Sequence, residues 1–170
     1  MRVIPNEESW IGFLPDKIPA DLCSPTAAEI AECVDLTCFI STLNASSQGN
    51  TVPTPSLCSL FETSVPGTSQ ATFTGEFYRD APDTVGSPVV DLAWNTLPRK
   101  TKGCFIIGRF GIDKNVTTGN PEPKAGDAVE CWPVEVTSRA AGAMASGTPL
   151  TFSITCAVNI EPCEDAVVVA

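Results

Sequence analysis

The sequence predicts a mainly β protein, an antiparallel β-sandwich or half-barrel with one flanking α-helix, extended N- and C-terminal arms and a long projecting loop. Three observations support this class. Residues 150–160 alternate apolar and small polar side chains with a period of two, as in a strand with one buried face. The same alternation returns in residues 71–80. A content of 15 prolines and 12 glycines favours short strands joined by many turns.

The length of 170 residues suits one domain with two arms. Residues 1–22 are interrupted by prolines and predict an extended arm, which lies either on a neighbouring subunit or as a strap across its own core. Residues 23–160 form the β domain. Residues 161–170 carry an acidic patch followed by an apolar end, which predicts that this end docks on a surface, with a neighbouring subunit as one candidate.

Two segments have helix signals. The stretch "SPTAAEIAEC" offers Ser24 as N-cap, followed by a proline at the first helical position and a short alanine-rich run. Residues 83–98 predict the main helix, with Ser87 as N-cap, Pro88 at the first position and Pro98 as the stop.

The strands follow the alternation. Residues 33–41 ("CVDLTCFIS") predict the first strand, and the polar residues 42–56 predict a projecting loop or the tip of a long hairpin. The strand "ATFTGEFYRD" directs Phe73 and Phe77 to the core. The stretch "GCFIIGRFG" is apolar on both faces, which predicts a central or interlayer strand. Pro133 within "AVECWPVEV" predicts an edge or a bulge.

Charge excludes several classes of function. The net charge of −10 and the pI near 4.3 oppose binding to nucleic acid and to anionic membranes. No apolar run approaches the ~20 residues that span a bilayer. The stretch "MRVIPNEESWIGFLPDKIP" lacks the features of a secretory signal, so we expect the chain to stay in the cytoplasm where it is made.

The chain has 8 cysteines and no histidine. Cys38, Cys104 and Cys156 fall in apolar stretches, which favours buried thiols, although one or more disulfides stay open. Without a Cys-x-x-Cys pair or a histidine we expect no metal site. The missing histidine and the missing phosphate and dinucleotide loops also predict no catalytic residue, no cofactor and no enzyme activity.

The polar side of the strands carries hydroxyls and acids and few bases. An ordinary exposed sheet usually mixes lysine and glutamate. A surface of hydroxyls and acids suits the wall of a channel through which a polyanion passes without sticking. The residues predicted to face this channel are Asp35, Thr37, Thr72, Thr74, Glu76, Ser153 and Thr155.

The run "GDAVECWPVEVTSRAAGAMASGTPLTFSITCAVNI", with the "FYRD" strand and a central helix before it, resembles major tail tube proteins of long, non-contractile-tailed bacteriophages over residues 25–160. The resemblance implies hexameric rings whose joined inner sheets form a barrel, stacked through the long loop and the arms. Double-stranded DNA would pass through without specific binding. Further implied partners are tape measure, tail terminator and baseplate proteins, with no membrane. The implied location is the virion tail, after assembly in the host cytoplasm.

The loop and the arms supply the residues predicted to contact neighbouring rings, which are Asn44, Ser47, Gln48, Asn50, Trp10, Phe13 and Val168. Two alternative functions remain open on the sequence. One is a virion decoration or adhesion domain with an exposed binding pocket. The other is a secreted β domain in which most cysteines are paired in disulfides.

Overall fold

The computed structural model describes residues 9–54, 63–80, 91–114 and 120–170. Within these residues, eight strands form one antiparallel sheet flanked by two short α-helices. In chain order the elements are β1 (Trp10–Pro15), α1 (Ala27–Ala31), β2 (Val34–Asp35), a 3₁₀ turn (Thr37–Phe39), β3 (Ile40–Thr54), β4 (Thr63–Tyr78), α2 (Leu92–Thr96), β5 (Lys102–Gly108), β6 (Ala128–Ala141), β7 (Thr151–Ala157) and β8 (Cys163–Val167).

The sheet curls over on itself. The strand order is β2-β1-β5-β6-β7-β4-β3, and β8 also pairs with β6. Strands β5 and β4 are thus three spacings apart, which is ~14 Å in a flat sheet. Nevertheless, the rings of Phe105 on β5 and Phe73 on β4 have centroids only 4.6 Å apart. The sheet therefore forms an open half-barrel, which confirms the predicted fold class.

Two hydrophobic cores lie on opposite sides of the sheet. The first core fills the inside of the curl, and its buried members are Ile11, Phe13, Leu36, Phe73, Phe77, Ala93, Leu97, Phe105, Ile107, Trp132, Val134, Val136, Phe152, Ile154 and Cys156. The second core lies behind β1, β5 and β6 under α1 and β8, and consists of Trp10, Leu14, Ile30, Cys104, Ile106, Ile112, Val129, Cys131, Ala166 and Val168. The predicted inward direction of Phe73 and Phe77 is confirmed.

Strand β5 contributes to both cores. Phe105 and Ile107 point into the first core, whereas Cys104 and Ile106 point into the second. All residues of β5 after Lys102 are buried, and β1 and β6 pair with its two edges. The prediction of a central strand that is apolar on both faces is confirmed.

Pro133 lies in the interior of β6, opposite Cys104 of β5. The other edge of β6 changes partner at this point, because it pairs with β8 up to Cys131 and with β7 from Glu135 onward. A proline has no N–H for a sheet hydrogen bond, and here it falls between the two partners. The predicted local edge is therefore present, since neither β8 nor β7 pairs with β6 at Pro133.

Both predicted arms are strands of the subunit. Strand β1 lies between β2 and β5, so residues 10–15 cover their own core, which is the strap alternative in a more regular form. Strand β8 pairs with β6, and the apolar end after it packs into the second core. The preceding residues 1–8 lie outside the described part.

Helix α1 begins two residues later than the sequence suggests. The N-cap of α1 is Thr26 rather than Ser24, because Thr26 forms a capping box with Glu29. Helix α2 has Asp91 as its N-cap and ends before Pro98, as expected. The predicted N-terminal half of this helix, with Ser87, lies outside the described residues.

The predicted strand over residues 33–41 is wrong. After the two residues of β2 the chain makes the 3₁₀ turn and then enters β3, at the opposite end of the strand order. Leu36 anchors the crossing, since its side chain is fully buried and its amide donates to the carbonyl of Ile11 at 2.9 Å. The regular alternation could not reveal a turn that tertiary contacts hold.

Residues 42–54 belong to β3, which pairs with β4 over almost its whole length. Of the two alternatives for residues 42–56, the structure thus has the long hairpin. Residues 55–56 lie outside the described part.

Helix α2 closes one end of the first core through Trp94. The guanidinium groups of Arg79 and Arg139 lie over this indole ring, with Cζ 3.8 and 3.6 Å from its centroid. Arg139 also donates to the Trp94 carbonyl at 2.7 Å. The buried carboxylate of Asp91 accepts from Arg79 and from the Trp94 amide, so this acid pairs with one of the two guanidinium groups.

Candidate functional site

The outer side of the curled sheet carries a continuous polar surface over β3, β4, β7 and the end of β6, which we call the polar face. Residues opposite each other in an antiparallel pair share a face. Thr74 lies between Asn44 of β3 and Thr155 of β7, and Glu76 lies between Thr42 and Ser153. The polar face consists of Thr42, Asn44, Ser46, Thr72, Thr74, Glu76, Tyr78, Ser138, Ala140, Thr151, Ser153, Thr155 and Ala157.

Burial separates the polar face from the first core residue by residue. Along β7, Phe152 and Ile154 are 0% and 1% exposed, whereas Ser153 and Thr155 between and after them are exposed. Five of the predicted channel residues are brought together in this way: Thr72, Thr74, Glu76, Ser153 and Thr155.

Hydrogen bonds tie the strands of the polar face together. The Thr151 hydroxyl donates to Oε1 of Glu76 at 2.9 Å. The hydroxyls of Ser46 and Thr72 are 3.0 Å apart across β3 and β4. Such cross-strand pairs each contribute about 0.2–1 kcal/mol to a sheet. The surface is therefore a row of mutually anchored hydroxyls rather than of mobile charged chains.

Among the thirteen residues of the polar face, Glu76 is the single charged one, and Glu135, opposite Ala157, stands at its border. The neighbouring bases point elsewhere, since Arg79 and Arg139 stack on Trp94 at the side of the first core. At the border with β5, Lys102 faces Glu135, with Nζ and Oε2 3.8 Å apart. The thirteen residues of the polar face thus include no lysine or arginine for phosphate groups, and Lys102 at the border is paired with Glu135.

Asp35 and Thr37 are not part of the polar face, which corrects their prediction as channel residues. Asp35 lies on β2, where it pairs with Gly12 and its carboxylate is 3.6 Å from the Lys114 ammonium. The Thr37 hydroxyl accepts from the Ile11 amide at 3.0 Å. Both residues hold the crossing from β2 to β3 at the far edge of the sheet.

The hairpin of β3 and β4 continues past the rest of the sheet. The last pair between β4 and β7 is Thr72 with Ala157, and residues 47–54 and 63–71, which we call the ribbon, pair only with each other. All ribbon side chains from 47–54 and 64–70 are exposed and uncharged. Near its far end, Val52 and Val65 lie opposite each other, each 48% exposed.

The seven residues predicted to contact neighbouring rings separate into three groups. Ser47, Gln48 and Asn50 lie on the ribbon. Asn44 lies on the polar face. The other three, Trp10, Phe13 and Val168, are at most 1% exposed inside the two cores, so the prediction that they contact a neighbour is corrected. The sequence pattern of the termini did not indicate that these apolar side chains pack into the cores of their own subunit.

Two edges of the polar face have no strand partner among the described residues. Strand β3 ends the strand order, so only β4 pairs with it. On β6, pairing with β5 ends at Glu135 and the last backbone hydrogen bonds on that edge are those of Val136. Residues 138–141 therefore pair with β7 alone.

Sequence reasoning missed the contribution of β3 to the polar face. A signal was present, because Thr42, Asn44 and Ser46 alternate with Leu43 and Ala45. The prolines and glycine farther along residues 42–56 favoured a loop instead. In the structure the two apolar residues pack against the first core.

The described cysteines form one disulfide, between Cys23 and Cys163. Cys33, Cys38, Cys104, Cys131 and Cys156 are free, and Cys58 lies outside the described part. Cys104 and Cys156 are buried, as predicted, whereas Cys38 is exposed. In the described ranges, no group of three or more metal-ligating side chains is placed to hold an ion, and no helix has the length and apolarity to cross a membrane.

Comparisons with known proteins point to virus tails. A family model described as "Phage tail tube protein" matches residues 2–170. No curated protein sequence matched the chain.

Among solved structures, a chain of the virion of a native gene transfer agent particle has a TM-score of 0.51 at 12% identity, covering 95% of this chain and 96% of that one. A chain of the tail of an empty gene transfer agent particle, refined with C6 symmetry, also has a TM-score of 0.51 at 12% identity, covering 92% and 95%. A chain of the anti-feeding prophage baseplate has a TM-score of 0.50 at 10% identity, covering 94% of each chain. At these identities the likeness concerns the fold.

Proposed function

The chain belongs to the phage tail tube protein family, and we propose that six copies close into a ring and that stacked rings form a tube for the passage of double-stranded DNA. It is a structural protein of the virion tail. The observation that carries the proposal is a polar face without a base that is bounded by two unpaired strand edges. We place assembly in the host cytoplasm, with the tape measure, tail terminator and baseplate proteins as partners.

The two open edges support ring closure. An exposed sheet edge has free N–H and C=O groups that pair readily with another strand. Across the polar face the order β6, β7, β4, β3 is antiparallel at every step. The β6 edge of a second copy, placed beside β3, continues this alternation. Six copies joined in this way make a closed barrel, and closure pairs both edges of the polar face.

The chemistry of the polar face supports DNA passage. Proteins hold DNA mainly by neutralising its phosphates with lysine and arginine. The polar face has hydroxyls and Glu76, and the chain has a net charge of −10. A channel lined by this surface hydrates the duplex and repels its phosphates, so DNA moves without specific binding.

The ribbon supports stacking. A two-stranded ribbon is marginally stable alone in water. This one extends beyond the sheet with both faces exposed and with the opposed Val52 and Val65 near its far end. Because its described residues carry no charge, two strongly acidic subunits can approach there without repulsion. We assign the contact with the next ring to the ribbon, including Ser47, Gln48 and Asn50.

The stacking role is tested by placing charge on the ribbon. The pair Val52→Asp and Val65→Asp should leave the melting temperature unchanged while abolishing tubes in negative-stain micrographs, because the carboxylates cannot be buried between rings. Ile18→Asp is the matched control, since Ile18 is 44% exposed away from the ribbon. Tubes of normal length from the double variant would overturn the assignment.

The channel role is tested by adding bases to the polar face. Virions assembled with Thr74→Lys and Thr155→Lys should eject DNA more slowly, because two lysines per subunit give phosphates a partner. The control pair, Ala28→Lys and Ala31→Lys, adds equal charge at exposed positions of α1. Equal ejection rates for the two pairs would contradict a channel at the polar face.

A further inference from the structure

The C-terminal residues 163–169 are held on both sides. On one side β8 pairs with β6, with Cys163 opposite Cys131. On the other side lies the chain that leads into α1. There the Val167 amide donates to the carbonyl of Cys23 at 3.0 Å, and the Val169 amide donates to the carbonyl of Pro25 at 2.9 Å.

This segment is the cover of the second core. Ala166 and Val168 are 0% and 1% exposed and pack there, while Val167 and Val169 between and after them face solvent. The Cys23–Cys163 disulfide joins the start of the cover to the chain before α1 across 140 residues of sequence. Because Cys23 is exposed, a small thiol or disulfide has access to this bond.

Cys131 is a free thiol directly across the ladder from Cys163. Opposite residues of an antiparallel pair have Cβ atoms about 4.5–5.5 Å apart, which is close to the spacing that a disulfide requires. Cys131 is fully buried in the second core. Cys163 therefore has a second disulfide partner within reach inside the fold, which is Cys131.

The remaining thiols of the second core do not compete. Burial raises the pKa of Cys33 to about 12. A hydrogen bond with Cys131, together with burial, raises the pKa of Cys104 far above its usual range. Neither Cys33 nor Cys104 lies opposite Cys163 in the pairing of β6 and β8, whereas Cys131 does.

We propose that the Cys23–Cys163 disulfide is a redox latch on the C-terminal cover and that Cys131 is its exchange partner. To close the latch, the thiols of Cys23 and Cys163 lose two protons and two electrons. A low-molecular-weight disulfide accepts the electrons and is cleaved to two thiols.

Exchange needs no external reductant. The Cys131 sulfur gives up its proton as it attacks Sγ of Cys163, the bond to Cys23 breaks, and Cys23 leaves as a thiolate that takes up that proton. The new disulfide lies within the pairing of β6 and β8. The segment before α1 is then no longer covalently tied to the cover.

The latch lies beside the base of the ribbon. A groove of about 550 Å³ is lined by Ser47 and Ser69 of the ribbon and by Glu161, Cys163 and Glu164 at the start of the cover. The latch is open under reducing conditions and closes on transfer to oxidising ones. We place this transfer after assembly in the host cytoplasm. Only that timing rests on the proposed function.

The first test compares oxidised and reduced full-length protein. Reduction should lower the melting temperature by about 10 °C, since disulfides that close long loops stabilise most. It should also speed hydrogen exchange of the amides in residues 163–169. Cys163→Ser, which removes both disulfide pairings, should behave like reduced protein in both buffers, and Cys38→Ser, at an exposed free thiol, should behave like wild type. Identical melting in both buffers would overturn the latch.

The second test removes the native partner. Cys23→Ser, treated with oxidised glutathione, acid-quenched and mapped by mass spectrometry, should contain a Cys131–Cys163 disulfide. Adding Cys131→Ser, or Cys131→Ala in case the serine is not tolerated in the core, should leave Cys163 free or bound to glutathione. An unpaired Cys131 in Cys23→Ser would overturn the exchange. Tube formation is scored separately, so the latch and the proposed function fail independently.

Discussion

Strand β5 and the ribbon are opposite environments in one sheet. Strand β5 has a partner on each edge and a hydrophobic core on each face. The ribbon has one internal pairing, and its side chains from 47–54 and 64–70 are exposed on both faces. The difference indicates that β5 and its neighbours stabilise the subunit, while the ribbon is completed only by contacts outside it.

A truncation in each region gives the largest expected contrast. Phe105 is fully buried, with its ring centroid 4.7 Å from that of Phe13 and 4.6 Å from that of Phe73. Phe105→Ala should lower the free energy of unfolding by about 4 kcal/mol, from lost burial and the cavity left behind. Val52→Ala on the ribbon should cost less than about 1 kcal/mol. Urea denaturation measures both, and similar losses would break the comparison.

Two Gly→Ala substitutions test the same contrast by adding side-chain volume, whereas the truncations remove it. A Cβ on Gly103 of β5 would overlap the Leu14 carbonyl oxygen and stand 2.6 Å from Cζ of Phe13. Gly103→Ala should therefore destabilise the subunit by about 3 kcal/mol. A Cβ on Gly49 of the ribbon meets nothing within 4 Å, so Gly49→Ala should be neutral or slightly stabilising. Thermal melting of the two variants compares them directly, and a destabilised Gly49→Ala would show that the ribbon is packed within the subunit.

Acid should destabilise helix α1, which packs on the second core. It should not affect the described part of the ribbon, which lacks ionisable groups. Hydrogen bonds from the backbone N–H groups of Thr26 and Ala20 hold the pKa of Glu29 below its usual value. This stabilisation is present above the pKa of glutamate in the unfolded chain and is lost as pH falls through the lower folded value.

Glu29→Gln keeps the capping geometry and removes the titration. Relative to wild type, this variant should therefore lose less stability between pH 7 and pH 3, by about 0.5–1 kcal/mol, the contribution of a helix cap. Denaturant titrations at both pH values measure the difference. Parallel pH profiles of the two proteins would show that Glu29 does not contribute.

Local sequence patterns predicted those strands whose residues alternate regularly between the two faces of the sheet. The alternation of β7 and of the second half of β4, and the two apolar faces of β5, were readable because each residue's burial follows strand geometry. The turn at residues 37–39 was not, since it depends on the contact of Leu36 with β1. The same holds for Trp10 and Val168, whose partners lie far away in sequence. Polar-face residues on β4 and β7 were predicted, whereas β3 was hidden by its prolines.

The central claim is that the polar face becomes the wall of an axial channel when subunits assemble. A cryo-EM reconstruction of tubes formed by this protein tests it most directly. We expect Thr74 and Thr155 on the channel wall, β3 of each subunit beside β6 of the next, and the ribbon against the adjacent ring. Tubes with these two threonines on the outer surface would contradict the account.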